Sequence, residues 1–166
     1  MSGAGALHWA GLEISFQRLG RSGWSPTGLL RSWAAATWRS VEGGVAVVCF
    51  ADEVVWLGLT ATDDPASVRC ESADGAWHRD LAVPPDLQLG WLQRDAGTRP
   101  IDLTGGVQCT AYRLRVTRAS LQAPLDCDLE LLAPEEWRRR FGLLELEPAV
   151  EPPPVGRYSR IIPPGE

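Results

Sequence analysis

Lysine and asparagine are absent from this 166-residue chain, and all 16 of its basic residues are arginine. The missing lysine excludes a Walker-type phosphate loop and lysine Schiff-base chemistry. Only two histidines are present, His8 and His78, so a three-histidine zinc centre is excluded. The four cysteines, Cys49, Cys70, Cys109 and Cys127, form no Cys-x-x-Cys pair, which excludes a zinc ribbon and a thioredoxin-type motif. They are expected as reduced, mostly buried thiols. Glycine-rich dinucleotide fingerprints, His-Glu-x-x-His and Gly-x-Ser-x-Gly are also missing. No cofactor and no metal is therefore expected. No run reaches the ~18 apolar residues of a membrane span. The opening Met1-Ser2-Gly3-Ala4-Gly5 lacks the charged and apolar regions of a secretory signal, so a cytoplasmic location is expected. Lysine and asparagine share A-rich codons, and isoleucine occurs only four times; that bias points to a GC-rich bacterial genome.

What is present is a globular composition, 45% hydrophobic, with a net charge of −5. The charge is segregated: residues 1–41 carry +3, 42–106 carry −7, 107–121 carry +3 and 122–166 carry −4. The acidic total argues against nucleic acid as a partner. Such alternation suits an ordinary solvated surface, or complementary faces for a protein partner or self-association.

Period-two alternation of Leu12, Ile14 and Phe16 predicts a strand over 7–19. Leu30, Trp33, Ala34, Thr37, Trp38 and Val41 fall on one stripe of a 3.6-residue repeat, which predicts a long amphipathic helix over 26–42, capped by Ser25 and Pro26 and stopped by Gly43-Gly44. Two continuous apolar runs, 45–50 and 54–60, read as a hairpin at the centre of a sheet, covered on both faces. A second hairpin, 67–71 with 76–83, turns at Asp74-Gly75. Residues 87–94 suit a strand or a short helix. Strands are expected at 107–121 and 126–132, and a short helix at 134–141, opened by Pro134, Glu135 and Glu136 and closed by Gly142. The expected fold is α+β: a mainly antiparallel sheet or partly open barrel packed by the long and the short helix. Residues 1–147 would form the domain. Residues 148–166, rich in proline, would form a tail that folds back, docks on a partner or stays disordered.

Several constellations suggest chemistry. Cys109 with His78 would be a nucleophile and base, and His78 with Asp80 a base and orienter. Asp63-Asp64, or Asp126, Asp128 and Glu130 on one strand face, would suit a divalent cation. Arg113, Arg115 and Arg118 beside Tyr112 would suit single-stranded nucleic acid, although Tyr112 should point away from Arg113 and Arg115. Each also has a plain reading as core or solvated surface. The eight tryptophans are a clearer excess. Trp33, Trp38 and Trp56 are expected in the core; Trp77 and Trp91 are candidates for binding a ligand. The tail carries Val155, Tyr158, Ile161 and Ile162, more apolar material than a solvated tail needs.

With no catalytic motif, the chain is expected to be a non-catalytic protein-interaction protein: an adaptor, an assembly subunit or an immunity-type inhibitor. Arg157, Tyr158, Ile161 and Ile162 are its expected partner contacts. The alternative is a small β-rich enzyme or carrier holding an apolar metabolite in a cavity lined by Trp77 and Trp91.

Overall fold

The computed structural model describes residues 2–3, 5–20, 31–93, 107–108, 110–144 and 147–151. Two sheets pack face to face. The seven-stranded sheet runs β1 (Ser2–Gly3), β5 (Trp38–Val41), β6 (Gly44–Val48), β13 (Leu125–Leu132), β12 (Ala111–Arg118), β8 (Ala66–Ser72) and β9 (His78–Val83). The six-stranded sheet runs β11 (Val107–Gln108), β10 (Gln88–Gln93), β7 (Glu53–Ala61), β3 (Leu12–Gly20) and β2 (Leu7–Trp9), with β4 (Ala34–Ala35) also paired to β3. Most pairings are antiparallel; β6–β13 and β10–β11 are parallel.

The alternating residues of each strand build the layer between the sheets. Leu12, Ile14 and Phe16 on β3 and Val55, Leu57 and Leu59 on β7 meet Val68 and Cys70 on β8 and Leu114 and Val116 on β12. The strand expected over 7–19 resolves into β2 and β3, joined through Ala10 and Gly11, both at positive φ as a two-residue hairpin turn demands. The hairpin at Asp74-Gly75 forms as β8 and β9. Residues 88–93 are a strand. The short helix α1 (Pro134–Phe141) forms over the expected residues, with Glu135 and Glu136 in its first turn and Arg138, Arg139 and Arg140 in its last.

The long helix is not formed where its stretch is described. Residues 31–42 instead hold β4 and β5. The chain here crosses from one sheet to the other, because β4 pairs with β3 and β5 pairs with β6. Each apolar residue then meets a different partner. Trp33 lies over Gly20 on the outer face of the six-stranded sheet, Trp38 enters the central core, and Val41 packs near α1. The helical spacing is a by-product of that crossing, and tertiary pairing overrides it.

The expected hairpin of 45–50 with 54–60 is also corrected. Both runs are strands buried on both faces, but β6 lies in one sheet and β7 in the other. The outer side of β6 lies under α1, where Ala46 and Val48 meet Leu132, Trp137 and Leu144. The outer side of β7 lies under Trp33, which meets Val54 and Trp56. Double coverage explains why both runs are continuously apolar.

The parallel β6–β13 contact is tight at Gly44, where a Cβ would land on the Asp128 carbonyl oxygen. Gly44→Ala should therefore cost about 1–3 kcal/mol, as overpacking against backbone does. Urea unfolding of this variant should show a lower midpoint with an unchanged m-value.

Candidate functional site

Period-two geometry sends the charged candidates of β8, β9, β12 and β13 to the outer face of the seven-stranded sheet, beside α1. They form two cross-strand rows. Asp126, Arg115, Arg69 and Asp80 are successive register partners on β13, β12, β8 and β9. Asp128, Arg113, Glu71 and His78 make the next row.

The rows are largely self-neutralised. Arg115 binds Asp126 in a bidentate pair, Nε to Oδ1 at 2.7 Å and Nη2 to Oδ2 at 3.0 Å. Arg113 Nε donates to Asp128 Oδ1 at 3.0 Å, and Arg140 Nη1 to Glu130 Oε2 at 2.9 Å. The Arg115 hydrogen bond holds the Asp126 carboxyl below its usual range, and the aspartates raise Arg113 and Arg115 further. Arg69 is held more loosely, 3.7 Å from Asp80 and 3.8 Å from Glu71. An open concavity of about 590 Å³ lies here, walled by Ser67, Arg69, Asp80, Asp86, Arg115 and Thr117.

The structure thus brings together the carboxylates expected to share a face but gives each an arginine. Among the described residues no three metal-ligating side chains converge. His78 Nε2 lies 3.8 Å from Asp80 Oδ2, beyond hydrogen-bond reach, on an exposed edge strand. As the alternation requires, Tyr112 is buried on the opposite face from Arg113 and Arg115. Trp77 packs against the central core, edge-on to Tyr112 with ring centroids 6.1 Å apart. Cys109, Arg157, Tyr158, Ile161, Ile162 and the Trp91 side chain lie outside the described residues.

Two other arginines behave differently. Arg118 continues the inward series Tyr112, Leu114 and Val116, and its side chain is 2% exposed. It donates to both Asp64 Oδ1 and the Asp64 carbonyl oxygen, and to the Ala10 carbonyl oxygen. Asp64 also accepts from the Ser120 amide and hydroxyl. A Cβ at Gly11 would collide with the Arg118 guanidinium, so the β2–β3 turn needs glycine twice over. Asp64 is thereby a structural anchor, not a free carboxylate.

Arg18 continues the inward series of β3 and closes the opposite end of the β3–β7 ladder. Its Nε and Nη2 meet Glu53 Oε2 and Oε1 at 3.0 and 2.8 Å; the two side chains are 2% and 5% exposed. The guanidinium lies 4.7 Å from the Phe50 ring centroid. Nη2 also donates to the Glu147 carbonyl oxygen at 2.8 Å, and Glu53 Oε1 accepts the Ala149 amide at 2.6 Å. The beginning of the proline-rich stretch is thus tied to the sandwich. Sequence reasoning missed both anchors. The available signal was parity: Arg18 and Arg118 follow Phe16 and Val116 by two residues, so each cation falls on a core-facing position and requires a buried acceptor.

No family model, curated protein or solved structure matches this chain.

The Arg118 hydrogen bond lowers the Asp64 pKa well below its ordinary 3.8. A depressed carboxyl stabilises the fold fully above its unfolded pKa and loses that contribution as pH falls towards the folded value. Acid unfolding should therefore steepen below about pH 4. Asp64→Asn should lower stability at pH 7 and flatten that acid limb in pH-resolved urea titrations. Burial raises the Cys70 thiol to about 12 and the Cys127 thiol to about 11. Both should resist iodoacetamide at pH 8 in the folded protein and react once it is unfolded, as read by intact mass.

Proposed function

We propose that this chain is a non-catalytic, cytoplasmic bacterial protein-interaction protein, an adaptor, assembly subunit or immunity-type inhibitor. It engages another protein, or a second copy of itself, through its proline-rich C-terminal segment, with Arg157, Tyr158, Ile161 and Ile162 as contacts. The observation that carries this reading is the anchoring of residues 147–151 by Arg18 and Glu53. A docking segment that starts from a fixed point on a filled sandwich loses less freedom on binding than one that starts from a loose end.

Three further observations support it. The metal candidates Asp126, Asp128 and Glu130 on the sheet face each have an arginine partner. Leu143 and Val150, either side of the anchor, are 82% and 80% exposed. The thiols of Cys70 and Cys127 are buried and not in a disulfide, in keeping with a reducing compartment.

The test compares the full chain with a chain ending at Glu151 and with Arg157→Ala/Tyr158→Ala/Ile161→Ala/Ile162→Ala. Ending at Glu151 keeps both backbone bonds to the Arg18–Glu53 pair, whereas ending at Glu147 would remove one. The same protein should be captured by the full chain and lost from both variants. Capture retained by both variants overturns the reading. A small molecule retained by all three, with no protein, selects the carrier alternative.

A further inference from the structure

Residues 147–151 meet the sandwich through their backbone. Glu147, Pro148, Val150 and Glu151 are exposed, and only Ala149 is half-buried. Among the described residues, the segment's hydrogen bonds to the sandwich come from the Glu147 carbonyl and the Ala149 amide. In an extended chain the carbonyl of one residue and the amide two residues later face the same side. A neighbouring strand satisfies such a pair with one donor and one acceptor. Here the donor is a guanidinium and the acceptor a carboxylate. The ion pair stands in for a strand edge and reads no side chain. Without the segment the pair keeps its two mutual bonds and the Phe50 ring, and one guanidinium donor and one carboxylate acceptor stand open to another backbone.

We propose that the buried Arg18–Glu53 pair is a socket for extended peptide backbone, and that residues 147–151 are its exchangeable occupant. The segment leaves and reseats while the sandwich stays folded. When it has left, another extended peptide that presents a carbonyl and, two residues on, a free amide takes its place. The inference stands on these two bonds and is independent of what the tail binds.

Two measurements on the full-length chain test it. In residue-resolved amide exchange, the Ala149 amide should be protected relative to Val150 and Glu151. It should still exchange about 100-fold faster than the amides of Ile14 and Leu57, as local opening does relative to global unfolding. Exchange of Ala149 at the rate of those core amides, or at the rate of a free amide, overturns the proposal. So does loss of its protection in Val150→Ala/Glu151→Gln, which would show that side chains hold the segment.

The second measurement uses Ala149→Pro, which deletes the donated amide and leaves the sandwich residues unchanged. A synthetic peptide of residues 147–154, titrated into this variant, should shift the Arg18 Hε resonance to saturation. The same peptide with N-methyl-Ala149 should not. Equal shifts with both peptides, or none with either, overturn the socket.

Discussion

The Arg18–Glu53 ion pair is the constraint around which one end of this molecule is arranged. Two charges taken out of water are tolerable only when their remaining hydrogen-bonding capacity is also met. The fold meets it with material from four places in the chain. Arg18 comes from the end of β3 and Glu53 from the start of β7; Phe50 supplies a ring from the connection between the sheets. The backbone of residues 147–149 supplies the final acceptor and donor. Shifting β3 against β7 by one residue would send Arg18 to the outer face and leave Glu53 buried alone. The pair therefore specifies register as well as closing the end of the core.

The opposite end of the same ladder uses the same residue type with a different partner set. Arg118 draws together the Ala10–Gly11 turn, the loop holding Asp64 and the end of β12. Between these anchors the inner layer is apolar. An arginine is suited to both ends because its long stem packs along the core while its planar head reaches several acceptors at once. In a chain without lysine, these two buried guanidiniums have structural work that the exposed ones do not.

The exposed sheet face shows how far period-two reasoning reaches. It placed Asp126, Asp128 and Glu130 together, put His78 beside Asp80, and separated Tyr112 from Arg113 and Arg115; the structure agrees on each. It could not show that Arg115 stands opposite Asp126, or that Arg113 stands opposite Asp128. Those pairings turn a candidate cation site into a neutralised ladder. Alternation along one strand fixes a side chain's face, whereas its neighbour depends on strand order and register, which are non-local.

Local chemistry in the sequence determined the elements whose causes are local. Helix α1 has its proline, its acids and its arginines at the right ends, and the β8–β9 hairpin has its Asp-Gly turn. The doubly covered β6 and β7 declare themselves by unbroken apolar character. Tertiary structure alone decided that β6 and β7 belong to different sheets, and that residues 31–42 cross between sheets as strands. It also decided which acceptors the core-facing Arg18 and Arg118 meet. In each case the deciding energy comes from burial against residues distant in the chain, and no window of sequence contains both partners.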